Sequence, residues 1–262
     1  IAGHIYGHPP LGNMKKASVL ASKYGKEVWM TEHSATDYIE SLPNWDEQLI
    51  FAQELNECML AGCTGYIYWY MRAHWSFIGT GESKYGANNK KNTLLPRAFV
   101  MSHFSKHVTG STRLEVGIGS TIGNEVSADT EASVYIKGDS LIVMGLNKTG
   151  SDHKIKIMLP EYVKSGTHLL STGNEEDKLC QTTDIAIEEP VKSLTVSMPA
   201  RSLNTYIFMV DREAAAIEDL TQKEDDGPKT YYDLQGRRIE KPQGLCIEKH
   251  ADGFTRKVYI TD

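Results

Sequence analysis

The sequence predicts an α/β region followed by an all-β region, and three patterns carry that prediction. Over residues 1–106, short apolar runs alternate with helical spacing in the order strand, helix, strand, helix, strand. That order implies parallel strands joined by right-handed crossovers. From 107 to 211, apolar residues recur with period two between Gly, Asn, Asp and Ser turns, as expected of a β-sandwich buried on one face of each strand. A charged stretch poor in aromatics, 212–229, then reads as a linker to a small β tail at 230–262.

The elements follow in order. A first strand runs through Ala2-Gly3-His4-Ile5-Tyr6-Gly7 and breaks at His8-Pro9-Pro10. Residues 14–24 have helical spacing, and Gly25 is placed to stop that helix. A second strand over 28–31 delivers Glu32 to its C-terminal end. Asn44 with Glu47 three positions on resembles a capping box. In the helix that follows, Phe51, Leu55 and Met59 form the face expected to pack on the sheet, and Gly62 ends it. The third strand, Gly65-Tyr66-Ile67-Tyr68-Trp69-Tyr70, ends in aromatics with Arg72 beside them. Residues 71–95 are long for a connection and carry His74, Trp75, Phe77 and Tyr85, which makes them a candidate binding wall. In the β region, Val134 and Ile136, then Ile155, Ile157 and Leu159, then Leu194, Val196 and Met198 mark alternating strands. No acids or histidines cluster there, so that region is expected to support the site or contact its ligand, not to do chemistry.

Composition narrows the function classes. The chain is 40% hydrophobic and 24% charged, enough apolar residue for a core, with a formal net charge of −6. Basic residues are scattered, which argues against nucleic acid as a partner. No apolar run approaches the ~18 residues of a membrane span. Of the four cysteines, Cys58, Cys63, Cys180 and Cys246, none is paired at zinc-site spacing. Buried free thiols are expected, and a Cys58–Cys63 bridge is open if the Cα atoms come close enough. Among the histidines, His4 and His8 are four apart, but Gly7 and two prolines keep them off a common helix face. No metal and no cofactor is expected.

The chemistry points to Glu32. In parallel α/β barrels the reacting groups gather at the C-terminal ends of the strands, and Glu32 is a carboxylate at such an end. The neighbouring strand ends in Trp69 and Tyr70, aromatics suited to stacking on a pyranose face. Trp69 reads either as that platform or as core filling; Tyr66 and Tyr68 read as packing.

These segments resemble glycoside hydrolase family 30, in its bacterial xylanase (glucuronoxylanase-like) branch. The resemblance rests on Ala2-Gly3-His4-Ile5-Tyr6-Gly7, on Trp29-Met30-Thr31-Glu32-His33, on the Tyr68-Trp69-Tyr70 strand end, on 96–106 beginning Pro96-Arg97-Ala98-Phe99, and on Pro199-Ala200-Arg201-Ser202 in the β region. It covers about residues 1 to 211. It implies that 1–106 are the last strands of a (β/α)8 barrel, incomplete in this chain, and that 107–211 are the family's side β-sandwich. By resemblance Glu32 is the nucleophile of a retaining endo-β-1,4-xylanase acting on xylan. The acid/base glutamate belongs to a missing N-terminal half, so the isolated chain is expected to be inactive. Tyr6 is placed to donate a hydrogen bond to Glu32. Tyr6, Trp69, Tyr70, Arg72, His74 and Trp75 are the expected substrate contacts, with His4 and His33 as hydrogen-bonding support. Ala73 stands where the glucuronoxylan-specific members align an arginine, which implies relaxed dependence on glucuronate branches. Two other readings stay open: a relative cleaving another β-linked glycan, and a non-catalytic carbohydrate-binding or surface-display fragment. The tail, with Thr230-Tyr231-Tyr232-Asp233-Leu234-Gln235-Gly236-Arg237-Arg238-Ile239, resembles the C-terminal secretion or anchoring modules of Bacteroidetes enzymes, which implies a secreted or cell-surface bacterial protein.

Overall fold

The structure, a computed structural model, describes residues 1–4, 11–34, 45–69, 71–72, 76–82, 89–117, 130–174, 181–214, 229–233, 235–249 and 255–260. It divides into two compact units, Ile1–Arg212 and Glu213–Asp262.

In the first unit, β1 (Ala2–His4), β2 (Trp29–His33) and β3 (Gly65–Tyr68) make a sheet in that order, parallel throughout. Among the described residues there are three such strands and no closed barrel. The connections are helical. α1 (Leu11–Lys23) starts earlier than its apolar spacing suggests, with Gly12 and Asn13 exposed in its first turn ahead of Met14. α2 (Trp45–Leu60) places Asp46 and Glu47 in its first turn, where carboxylates complement the helix dipole. Asn44, the expected cap, lies outside the described residues, as do His8, Pro9 and Pro10.

Both helices stop by the same device. Lys26 N–H donates to Ala21 O at 2.9 Å and Gly25 N–H to Ser22 O at 3.1 Å; Cys63 N–H donates to Cys58 O at 3.0 Å and Gly62 N–H to Met59 O at 3.0 Å. This is the nested pair of bonds of a Schellman cap, which needs a left-handed residue at the turn. Gly25 at φ +60° and Gly62 at φ +91° supply it, since glycine has no Cβ to clash there.

α2 is buried on more than one side. Phe51 meets the rings of Tyr66 and Tyr68 on β3, centroids 6.3 and 5.1 Å away. Cys58 joins Ala21, Val28, Met30 and Cys63 in a core shared with α1 and β2. Leu49, Phe51, Ala52 and Leu55 pack with Val100 and Phe104 and also with Tyr135, Ile142, Met144, Leu146 and Leu203 from the β region. The helix therefore serves the sheet, as its spacing predicts, and the all-β part as well.

α3 (Pro96–His107) begins at a proline, whose missing N–H costs nothing in the first turn. It docks through His103, which is fully buried: Nδ1 lies 2.7 Å from Thr205 Oγ1 and Nε2 3.0 Å from Ser171 Oγ.

Seven antiparallel strands follow among the described residues. β4 (Thr112–Leu114), β5 (Thr130–Lys137), β6 (Ser140–Asn147), β10 (Ser202–Val210), β7 (His153–Thr172) and β8 (Gln181–Ile185) lie in that spatial order, and β9 (Val191–Met198) pairs with β7. β7 is 20 residues long and serves both sides of the layer. Its first part pairs β9, its second pairs β10 and β8, and the register with β9 shifts between Met158 and Val163. Pro160, which cannot donate to a ladder, sits inside that irregularity, where bulges tolerate it. Leu141, Val143, Ile157, Val163, Val196, Met198, Tyr206 and Phe208 form a second core.

Asn147 pins the β6–β7 turn to the β9–β10 turn. Its Nδ2 donates to Ser151 O at 2.9 Å, Met198 O at 3.2 Å and Pro199 O at 2.9 Å, while Oδ1 accepts from Thr149 N at 3.0 Å and Thr149 Oγ1 at 2.7 Å. Asn147→Ala strips these buried groups of their partner and should lower stability by about 2–3 kcal/mol, read as the urea midpoint. A loss below about 0.5 kcal/mol would mean water replaces the amide without penalty. The same β9–β10 turn holds α2. Arg201, at φ +51°, accepts the Trp45 indole N–H on its carbonyl at 2.6 Å and pairs its guanidinium with Asp46.

The second unit contains β11 (Thr230–Tyr232), β12 (Arg238–Ile239), β13 (Gly244–Lys249) and β14 (Thr255–Ile260), an antiparallel sheet ordered β12-β11-β13-β14. Asp233 shapes its first turn, accepting from Gln235 N at 2.9 Å and Arg237 N at 2.8 Å on one oxygen and Arg237 Nε at 2.6 Å on the other. The Arg237 amide leads in holding that carboxyl below its usual range.

Candidate functional site

Glu32 stands near the C-terminal end of β2, the central strand of the parallel sheet, and pairs in register with His4 on β1. A shift in register between Gly3 and His4 makes that pairing, so the two side chains come together: His4 Nδ1 lies 3.7 Å from Glu32 Oε1. Both remain accessible, at 51% and 30% side-chain exposure. A carboxylate reached by solvent at the strand end is available to a bound molecule, and an imidazole beside it can orient it.

His33 is directed elsewhere. It is buried with Met30, and its Nδ1 lies 3.2 Å from the Tyr66 hydroxyl and 3.4 Å from Glu54 Oε2 on α2. On β3, Tyr68 stacks on Phe77 at 4.2 Å and receives a long hydrogen bond, 3.4 Å, from the buried Arg97. The packing expected of Tyr66 and Tyr68 is what the contacts provide. Trp69, just beyond β3, donates its amide to His33 O at 2.8 Å and leaves its side chain about half exposed, at 45%. An exposed indole at a strand end offers a flat apolar surface; a core filler would be covered.

The described residues after β3 are held by their own polar groups. Arg72 and Leu94 each bridge to Ile78, and Ser76 Oγ donates to Ile78 O at 2.6 Å. Asn89, buried, accepts Thr80 N–H at 2.7 Å and donates to Thr80 Oγ1 at 2.8 Å and Glu82 O at 3.2 Å. Arg72 itself is exposed. Of the expected substrate contacts, Tyr6, Tyr70, His74 and Trp75 lie outside the described residues, and so does Ala73. Among the described residues no group of three or more His, Cys, Asp or Glu side chains could hold a metal ion.

Comparison with known proteins adds to this geometry. No protein-family model matches the sequence, and no curated protein does. Solved structures do match. The chain is similar to a glycoside hydrolase family 30 endoxylanase from Clostridium papyrosolvens C71, with TM-score 0.62, 19% identity, and 80% of this chain against 48% of that one. It is similar to a family 30 subfamily 8 xylanase from Clostridium acetobutylicum, with TM-score 0.63, 21% identity, and coverage of 80% and 48%. It also matches a conserved exported protein from Bacteroides fragilis, with TM-score 0.59, 17% identity, and coverage of 79% and 45%. The likeness is one of fold. The chain spans about half the length of the solved structures it matches.

Sequence reasoning missed Glu54. It sits three residues after Phe51, hence on the same side of α2, and that spacing was the available signal. A lone acid in mid-helix otherwise reads as solvated, and only the buried His33 opposite it reveals the pairing.

Proposed function

We propose that this chain is part of a retaining glycoside hydrolase that cuts β-1,4-linked xylan, and that Glu32 is its nucleophile. The observation that carries the reading is the accessible carboxylate at the C-terminal end of the central parallel strand, with His4 at 3.7 Å and an exposed indole at the end of the next strand. The fold shared with two structures named as xylanases supports the substrate class. In a retaining site two carboxyl groups lie about 5–5.5 Å apart. Glu32 attacks the anomeric carbon to form a glycosyl ester while the second group protonates the departing sugar oxygen; that second group then takes a proton from the water that hydrolyses the ester. The second carboxyl comes from sequence outside these 262 residues, which also completes the barrel. His4 orients Glu32, Trp69 floors a sugar subsite, and Arg72 borders it. Export fits the tail and the exported protein of similar fold, and no helix among the described residues is long and apolar enough to cross a membrane.

The test is hydrolysis by the longer protein that includes this chain. It should release xylo-oligosaccharides whose newly formed anomeric centre is initially β, seen by proton NMR; α product or no cleavage of xylan removes the reading. Because Ala73 offers neither charge nor donor, rates on unbranched xylan and glucuronoxylan should agree within about tenfold, the span of a charge-assisted contact of ~1.5–3 kcal/mol being absent. A hundredfold or so preference for the branched polymer would place a carboxylate clamp on another residue, Arg72 first.

A further inference from the structure

The Schellman cap of α2 brings two thiols together. In such a cap the third-last helical residue and the residue after the glycine are joined by the outer hydrogen bond, and their side chains meet. Here those residues are Cys58 and Cys63, linked by the 3.0 Å bond from Cys63 N–H to Cys58 O around Gly62. Both are buried and both are free thiols. An aliphatic pair would serve the cap equally well, so packing alone does not call for two sulfurs. A disulfide requires Cα atoms about 4.4–6.8 Å apart, and a backbone hydrogen bond between the two residues holds them side by side.

We propose that Cys58 and Cys63 are an oxidisable dithiol that closes to a disulfide by exchange with a small-molecule or protein disulfide. Cys63 lines a cavity of about 440 Å³ whose wall also includes Thr64, Gly65, Ser105 and Arg113. It is the attacking group. The Cys58 thiol donates a hydrogen bond to it, which lowers the Cys63 pKa and raises that of Cys58, burial adding to the latter. Arg113 in the same wall suits an anionic partner such as glutathione. The Cys63 thiolate attacks one sulfur of the incoming disulfide and expels the other as a thiolate. The Cys58 sulfur, losing its proton to solvent, then attacks Cys63 Sγ and expels the second thiolate. Two protein thiols are oxidised and one disulfide is reduced to two thiols. The bridge would lock the last turn of α2 to its cap, two residues before β3 begins. The proposal stands on the helix cap and does not depend on the glycosidase reading.

Trypsin tests it without any substitution. The chain has no Lys or Arg between Lys26 and Arg72, so Cys58 and Cys63 leave in one peptide, with Cys180 and Cys246 in others. The 262-residue chain is equilibrated in a glutathione buffer, free thiols are blocked, and the 27–72 peptide is weighed. The expected result is a peptide lighter by two hydrogens, unblocked until a reductant is added, and formed about tenfold more favourably in native buffer than in concentrated urea, because the cap raises the effective concentration of one thiol at the other. A peptide blocked at both cysteines, a bridge to Cys180 or Cys246, or equal closure in buffer and urea overturns the proposal.

Discussion

On the role proposed for Glu32, its replacement by glutamine should lower turnover of a longer protein that includes this chain by about 10⁴-fold, roughly 5 kcal/mol of barrier, with substrate binding little changed. Glutamine keeps the size and most of the hydrogen bonding of the carboxylate beside His4, so the polysaccharide still docks. It lacks the charge that, in the proposed mechanism, attacks the anomeric carbon, so the covalent route closes. A smaller residue makes the test sharper. Glu32→Gly opens space for azide, which should restore activity and give a glycosyl azide of inverted configuration, since one displacement replaces two. Near-normal turnover in Glu32→Gln would assign Glu32 to structure, as one half of an exposed pair with His4.

Acid should unfold the first unit by way of His103. Burial, with His107 and His168 adding positive charge nearby, depresses its pKa from 6.5 to about 3. The imidazole is therefore neutral between Thr205 and Ser171 in the folded chain. The folded pKa lies below the unfolded one, so the stability this group contributes is fully present above about pH 6.5 and is lost as pH falls toward 3. One such proton changes stability by about 1.4 kcal/mol per pH unit, or about 4 kcal/mol by pH 3.5. His168, half-buried beside Asn204, is shifted the same way. Glu131 works against them, because burial raises its pKa and protonating it favours the fold. Comparison with His103→Gln isolates the histidine: the difference in urea midpoint between the two proteins should shrink steadily as pH drops below 6.5. Parallel pH profiles would mean that His103 takes up its proton in the folded state.

What could be read from the sequence depended on how cleanly each residue's environment is written in its neighbours. The Trp29–His33 and Gly65–Tyr68 strands are legible because apolar runs end at polar residues, and Gly25 and Gly62 are legible because only a left-handed turn asks for glycine there. β6 is apolar almost without interruption, since it is buried on both faces, and offers no alternation to detect. β7 hides its length behind Pro160, which reads as a strand end. α3 buries Arg97 and His103 among its apolar residues, which blurs the helical stripe. At the site, Glu32 is visible as a strand-end acid. Its partner His4 is given a supporting role only by the family resemblance, because it reaches Glu32 through a shift in register that no local pattern records. His33, adjacent in sequence, is turned toward Tyr66 and Glu54 by the irregularity in the β2–β3 ladder.

The many-sided burial of α2 has a bearing on how this chain can be rebuilt. A chimera joining residues 1–106 to the β region of another protein would inherit half a core: Leu49, Phe51, Leu55, Val100 and Phe104 would meet a surface not shaped for them in place of Tyr135, Ile142, Met144, Leu146 and Leu203. Mismatched volumes in a close-packed interior cost several kcal/mol, comparable to the whole margin of a domain. Any transferable block therefore has to keep 1–106 and 107–212 together. Recombination has to carry the parallel strands and the all-β region together, so substitutions on either side of position 106 are selected as one inheritance.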